Sequence, residues 1–194
     1  TQTNVDVVML DLEDSVSIEQ KIIARELVAR SINEFDWGAK TLSVRINACE
    51  TEFAYEDLIY VVESCGEKIN SIVIPKVDTE ADIHFVAGLL NGIELKKRFT
   101  NQINIEASIE SALGMMNIQK IASSSERLVA LVFGIADYTS SIGAKNVSIS
   151  GHGENAEISY PGHRWNILFS NIVIAAKANN LLAIDAHYGN FKDN

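Results

Sequence analysis

Thr41–Asn47 reads TLSVRIN and Ile103–Glu110 reads INIEASIE. Both runs are of strand length, and both alternate. In the first, Leu42, Val44 and Ile46 share one face while Thr41, Ser43, Arg45 and Asn47 share the other. In the second, Ile103, Ile105, Ala107 and Ile109 oppose Asn104, Glu106, Ser108 and Glu110. Successive side chains of a strand point to opposite faces. Each run therefore has one apolar and one polar face, and this separates two architectures once the neighbouring segments are read.

Four further runs read as strands: Val5–Leu12 (VDVVMLDL), Ser71–Val77 (SIVIPKV), Leu128–Phe133 and Leu181–Ala186 (LLAIDA). Helical patterns lie between them. Ser17 and Gln20 have the spacing of a capping box, followed by an apolar face of Ile23, Ala24, Leu27 and Val28. Tyr55–Ser64 reads as a helix with Gly66 as its C′ residue. A third helix is capped by Thr79 or Asp78 and runs toward Lys97, and a fourth spans Ser111–Ala122. Residues Thr139–Ser159 read as a long excursion rich in Gly, Ser and Asn. Trp165, Leu168, Phe169, Ile172, Val173 and Ala176 then recur at helical spacing.

Six strands with helices between them imply parallel pairing and right-handed crossovers. A doubly wound open sheet, covered on both faces, should be apolar on both. No GxGxxG or Walker A motif follows a strand. A (β/α)8 TIM barrel, whose interior becomes polar toward its mouth, accommodates the alternation. The expected fold is thus α/β, with residues 1–194 as a single partial barrel domain.

Composition narrows the partners. The formal net charge of −10 over 194 residues argues against nucleic acid and anionic membranes, which need a basic footprint. Trp165–Ala178 is interrupted by Asn166, Ser170, Asn171 and Lys177, and is too short to span a bilayer. Cys49 and Cys65 have neither CxxC spacing nor a paired histidine, so zinc is not expected and a reducing cytoplasm is.

Charged residues close almost every strand: Glu13 and Asp14, Arg45, Lys76, Glu110, Asp137 just past Gly134, and Asp185. In parallel barrels those ends converge on the active site. Crowded carboxylates resist ionising together unless a cation neutralises them. Glu110 and Asp137, on consecutive strands, are candidates to share Mg²⁺, which binds through one or two carboxylates plus water and substrate oxygens. Arg45 is a fixed cation for a carboxylate or a developing enolate oxygen. Lys76 as a Schiff-base lysine would need a depressed pKa, which crowded carboxylates oppose. Glu106, deeper in its strand than Glu110, reads as a buried hydrogen-bond partner. His152 and Glu154 read as loop residues, His163 as part of a helix start, and Trp165 and Phe169 as core.

At these residues the chain resembles the citrate lyase β subunit and malyl-CoA/citramalyl-CoA lyase family. DVVMLDLEDSV with Lys21 and Ala24–Arg25 is similar to its opening signature. VRIN at Val44–Asn47, IPK at Ile74–Lys76, IE at Ile109–Glu110, FGIADY at Phe133–Tyr138 and the late LLAIDAHYGNFKD follow in the family's order. The resemblance implies a Claisen-type carbon–carbon lyase acting on 3-hydroxyacyl thioesters. It implies Mg²⁺ on Glu110 and Asp137 and Arg45 at the substrate. Gly134 and Ala136 of FGIADY would contact the substrate, and Glu13 and Asp14 would form the acidic pair near the metal. The thioester would be carried by CoA or an acyl-carrier protein, and the assembly would be a homo-oligomer, a trimer or hexamer.

Against the family pattern, a first strand of the type RSxLFxPG and everything past the KD segment are missing. The expectation is an arc with a gap where strands one and eight belong, and a catalytic aspartate outside these residues. Alternatives are a citrate lyase β subunit acting on a carrier-protein thioester, a metal-dependent sugar-acid aldolase and a non-catalytic barrel subunit.

Overall fold

The computed structural model describes residues 4–145 and 165–186. Its strands are β1 (Val7–Asp11), β2 (Thr41–Arg45), β3 (Ser71–Ile74), β4 (Asn104–Ile109), β5 (Leu128–Phe133) and β6 (Leu182–Ile184). All adjacent pairs are parallel and the spatial order is the chain order, β1 to β6. Right-handed crossovers that always step to the next strand place every helix on the same face. A doubly wound sheet must reverse that direction, so this topology is a parallel half-barrel. Among the described residues β1 and β6 each pair on one side only, which is the expected six-stranded arc.

The helices are α1 (Lys21–Glu34), α2 (Ala54–Cys65), α3 (Glu80–Lys97), α4 (Ala112–Ala122), α5 (Ile135–Ser141) and α6 (Asn166–Ala178). Leu42, Val44, Ile46, Ile72, Ile74, Ile105, Ala107 and Ile109 are buried to 5% exposure or less in the core shared by sheet and helices. Burying such a side chain stabilises by roughly 1.5–3 kcal/mol. The opposite parity, including Ser43, Arg45, Glu106 and Ser108, lines the concave side. The two-faced reading of TLSVRIN and INIEASIE holds along the strands, except that Asn47, past the end of β2, turns to Asp57 of α2 rather than to the concave side.

Several local expectations are corrected. Ser17 makes no side-chain cap bond; a short 3-10 turn, Ile18–Gln20, precedes α1 instead. The buried face of α1 is Lys21, Arg25, Val28, Ala29 and Ile32, while Ile23 and Leu27 are exposed. This helix lies at the end of the layer with α2 as its neighbour, so its packing follows one contact line rather than its whole apolar stripe. Gly66 has an ordinary φ of −58°. It is required by proximity, since a Cβ there would lie 2.5 Å from the Phe99 ring. The excursion begins later than expected, because Thr139–Ser141 complete α5.

The capping expectation at Thr79 holds, and α4 carries a cap at Ser111 that was not expected. Asp82 accepts from the backbone N–H groups of Asp78 and Thr79, and Ser111 accepts from Gly114 N at the start of α4. Trp165 and Phe169 are core, as expected: Phe169 packs edge-on to Phe133, and Trp165 packs edge-on to Tyr138. Pro161, His152, Glu154, His163 and the KD segment at Lys192–Asp193 lie outside the described residues.

Candidate active site

The strands deliver Asp11, Arg45, Lys76, Glu110 and Asp137 to one end of the sheet. Arg45, the last residue of β2, meets Asp11, the last of β1. Its Nε donates to Oδ1 and its Nη2 to Oδ2, both at 2.7 Å. This fork geometry holds a planar guanidinium at both edges. Asp11 also accepts from the Glu13 backbone N–H and from the Ser15 backbone N–H and hydroxyl. The loop carrying Glu13 and Asp14 is thus folded around the carboxylate that orients Arg45. Burial opposes ionisation of Asp11, but the Arg45, Ser15 and Glu13 hydrogen bonds outweigh it and hold its pKa well below the usual range.

Glu13 links two cations. Its Oε2 lies 3.0 Å from Arg45 Nη1, in ion-pair range though outside hydrogen-bond geometry. Its Oε1 accepts from Lys76 Nζ at 2.5 Å. Lys76 in turn lies 3.5 Å from Asp14 and 3.7 Å from Asp137. An ionic chain thus runs from Arg45 through Glu13 and Lys76 to Asp137. Burial works against the charge of Lys76, but the Glu13 hydrogen bond and the nearby carboxylates raise its pKa above the ordinary value. That is the reverse of what a Schiff-base lysine needs. Burial raises the pKa of Glu13, with Lys76 and Arg45 acting in opposition.

Glu110, directly past β4, is 5% exposed. Its pKa is raised to about 7, first by burial, then by the charges of Glu13 and Asp137; Lys76 counteracts, and a hydrogen bond with Asp137 adds to the rise. Gly134, between β5 and α5, makes room for it: a Cβ there would lie 2.2 Å from Glu110 Cγ. Glu110 Oε2 is buried with no hydrogen-bond partner. A buried carboxylate oxygen without a donor is costly unless a cation or proton is supplied.

No group of three or more His, Cys, Asp or Glu is arranged around a single point among the described residues. Glu110 and Asp137 would offer a metal only two carboxylates, and such a pair would suit Mg²⁺, which keeps waters and takes substrate oxygens, better than a metal needing a full protein cage.

A cavity of about 650 Å³ opens on the concave side, lined by Arg45, Asp14, Glu110, Gly134, Ala136 and Asp137 among others. Of the sequence-derived candidates, Glu13 and Lys76 do not line it; they stand behind it, Glu13 in ion-pair range of Arg45 and Lys76 in ion-pair range of Asp14 and Asp137. Asp185 lines it as well. A larger hollow of about 770 Å³ lies at the other end of β5 and β6, away from these charges.

Two contributors were not among the strand-end charges read from the sequence. Asp11 is betrayed only by parity, since it alternates with Met9 while Leu10 and Leu12 face the other way. Lys21 lies four residues before Arg25 on the buried face of α1. Its Nζ donates to the carbonyls of Leu12 and Glu13, each at 2.7 Å. Arg25 Nε donates to Asp57, which also accepts from the Asn47 backbone and side chain. Two cations of one helix thereby hold the loops that follow β1 and β2. No described helix is long and apolar enough to cross a membrane.

The chain is 39% identical over 193 residues to an L-malyl-CoA/beta-methylmalyl-CoA lyase of Cereibacter sphaeroides, covering 97% of this chain and 61% of the relative. It is 32% identical over 192 residues to a citrate lyase subunit beta of Leuconostoc mesenteroides subsp. cremoris, covering 97% and 58%. It thus spans about three-fifths of the length of these curated relatives. A crystal structure of CitE from Mycobacterium tuberculosis with magnesium, acetoacetate and coenzyme A superposes with a TM-score of 0.72. The two are 25% identical, and the match covers 97% of this chain and 60% of the other. The family model described as HpcH/HpaI aldolase/citrate lyase matches residues 1–194, and the chain belongs to that family.

Proposed function

We propose that this chain is the site-bearing part of an eight-stranded barrel enzyme, a Mg²⁺-dependent carbon–carbon lyase. Its substrate is a 3-hydroxyacyl thioester of the malyl-CoA or citramalyl-CoA type, cleaved to an acyl thioester and a keto acid. The observation that carries this reading is Glu110: a buried carboxylate with an unpartnered oxygen, seated against Gly134 in the wall of a cavity that Asp137 also lines. The names of the relatives support the reaction class, and the CoA-bound neighbour supports the carrier.

In such a cleavage the 3-hydroxyl loses its proton and the C2–C3 bond breaks. Its electron pair passes to the thioester as an enolate, which is then protonated. Glu110 and Asp137 would hold Mg²⁺, which as a Lewis acid polarises the oxygens of the keto-acid half when bound. Arg45, held in plane by Asp11, presents positive charge where the enolate or substrate carboxylate develops. Glu13 and Asp14 keep Arg45 and Lys76 together at the mouth. Gly134 and Ala136 leave the wall beside Glu110 low enough for a ligand to approach. The 32% identity to a citrate lyase subunit beta favours a second reading, a thioester held on an acyl-carrier protein.

The test is a panel of malyl, citramalyl and citryl thioesters incubated with the protein, with Mg²⁺ and with chelator, following release of keto acid. Mg²⁺-dependent release from one of the CoA thioesters is expected. No cleavage of any member would refute the reading.

A further inference from the structure

Strand register places Asp11, Arg45, Val73, Glu106 and Ala130 in a single row across β1 to β5. Arg45 and Glu106 are two strands apart in that row, roughly 10 Å at about 4.8 Å per step. Both line the 650 Å³ cavity. Between them Val73 is neutral and lines the same cavity.

Glu106 is built in rather than left over. Its Oε1 accepts from the Ser43 hydroxyl at 2.9 Å and from the Ser71 hydroxyl, and the two serines lie 2.8 Å apart. Ser43 and Ser71 are 1% and 3% exposed, so the carboxylate is anchored from within the wall. Pairing between β4 and β5 shifts by one residue beside Glu106, with Val129 of β5 left over between Leu128 and Ala130. The other carboxylate in the row, Asp11, is neutralised by Arg45, whereas among the described residues no cation pairs with Glu106.

A fixed anion on the wall of a site that also offers Arg45 has one consequence for ligands. A small anion is welcome at Arg45, and a second negative group reaching the next part of the same row is repelled. We propose that Glu106 sets which keto acid the site accepts, admitting those with a single carboxylate and excluding those with two. This rests on the lyase reading and deepens it. The site would serve thioesters that yield a keto acid with a hydrogen or methyl substituent, and would turn away those that yield a keto dicarboxylate. A like charge within about 8 Å, at an effective dielectric near about 20, should cost at least about tenfold in affinity.

Calorimetric titration of the Mg²⁺-loaded protein with pyruvate, oxaloacetate and the 4-amide of oxaloacetate tests this. The amide keeps the shape of oxaloacetate and lacks its second charge. Wild-type protein should bind the amide at least about tenfold more tightly than oxaloacetate, and Glu106→Gln should raise the oxaloacetate-to-pyruvate affinity ratio about tenfold. Equal wild-type affinity for oxaloacetate and its amide overturns the role of Glu106 without needing the variant, and leaves the lyase reading standing. Wild-type protein that binds none of the three refutes the lyase reading and this inference with it.

Discussion

Glu110 and Gly134 are a fitted pair: the carboxylate occupies the space a side chain at 134 would take, with Glu110 Cγ 2.2 Å from where a Cβ would be. Gly134 has φ −89°, open to any residue, so the requirement is steric alone. Gly134→Ala should therefore fold but push Glu110 out of place. Overpacking of this kind costs typically about 1–3 kcal/mol. The expected result is a Tm several degrees lower and Mg²⁺ affinity reduced at least about tenfold, both measurable by calorimetry. Unchanged Mg²⁺ affinity would show that Glu110 does not hold the metal in this position.

Glu110 also predicts a pH dependence. Its pKa in the folded protein is raised from 4.5 to about 7. A carboxylate raised on folding binds its proton more tightly in the folded state. Its stabilising contribution is complete below the ordinary value and is lost as pH rises through about 7. Metal-free protein should lose a few kcal/mol between about pH 5 and 8 on this account, and Glu110→Gln should flatten the slope. Added Mg²⁺ should raise Tm more at pH 8 than at pH 5.5. A wild-type profile parallel to that of Glu110→Gln in thermal melts would count against the assignment.

Asp11 orients Arg45 through two parallel bonds. Asp11→Asn keeps the size, loses the charge and can accept only one of those bonds. Turnover should fall roughly a hundredfold, since a misplaced oxyanion-type donor costs about 3 kcal/mol. Arg45→Lys should fall as far, because a point charge cannot bridge the same pair of oxygens. Steady-state kinetics on both variants provide the check, and a loss in Arg45→Lys with none in Asp11→Asn would leave Asp11 a merely structural residue.

Lys21 supplies two donors to backbone carbonyls that have turned inward at the end of β1. Lys21→Met should leave both acceptors buried and unmet, at about 1–3 kcal/mol each. The loop that presents Glu13 should loosen, lowering kcat/KM about tenfold alongside Tm. Lys21→Arg should not restore either, as the guanidinium is too broad for a site built around one ammonium. Recovery of wild-type kinetics in Lys21→Arg would show that charge, not position, is what matters.

The order of strands and helices, the two-faced strands and the charges at their C-terminal ends were legible from residue patterns alone. Period 2 and period 3.6 are local properties, set within a few residues by backbone geometry. TLSVRIN and INIEASIE accordingly announced which of their residues would meet the helices and which the interior. Half of the apolar face read for α1 packs as expected, with Val28 buried and Ala24 half-buried, while Ile23 and Leu27 are exposed, because periodicity says that a stripe exists, not which part of it finds a neighbour.

Contacts between distant residues were decided only by tertiary structure. Arg45 meets Asp11 across 34 positions, and Lys76 meets Glu13 across 63. Those pairings depend on strand register and sheet curvature, which no local window contains. The same holds for glycine. In sequence, Gly66 resembles a helix terminator and Gly134 a substrate-side residue. In the folded chain Phe99 and Glu110 also stand where their side chains would be, a demand that no local pattern announces. The sequence by itself determined the parallel half-barrel and the charged residues at its rim. Which carboxylate carries a cation, which is left without a partner and which stands against a glycine follow from packing alone, because like charges, burial and excluded volume act through space rather than along the chain.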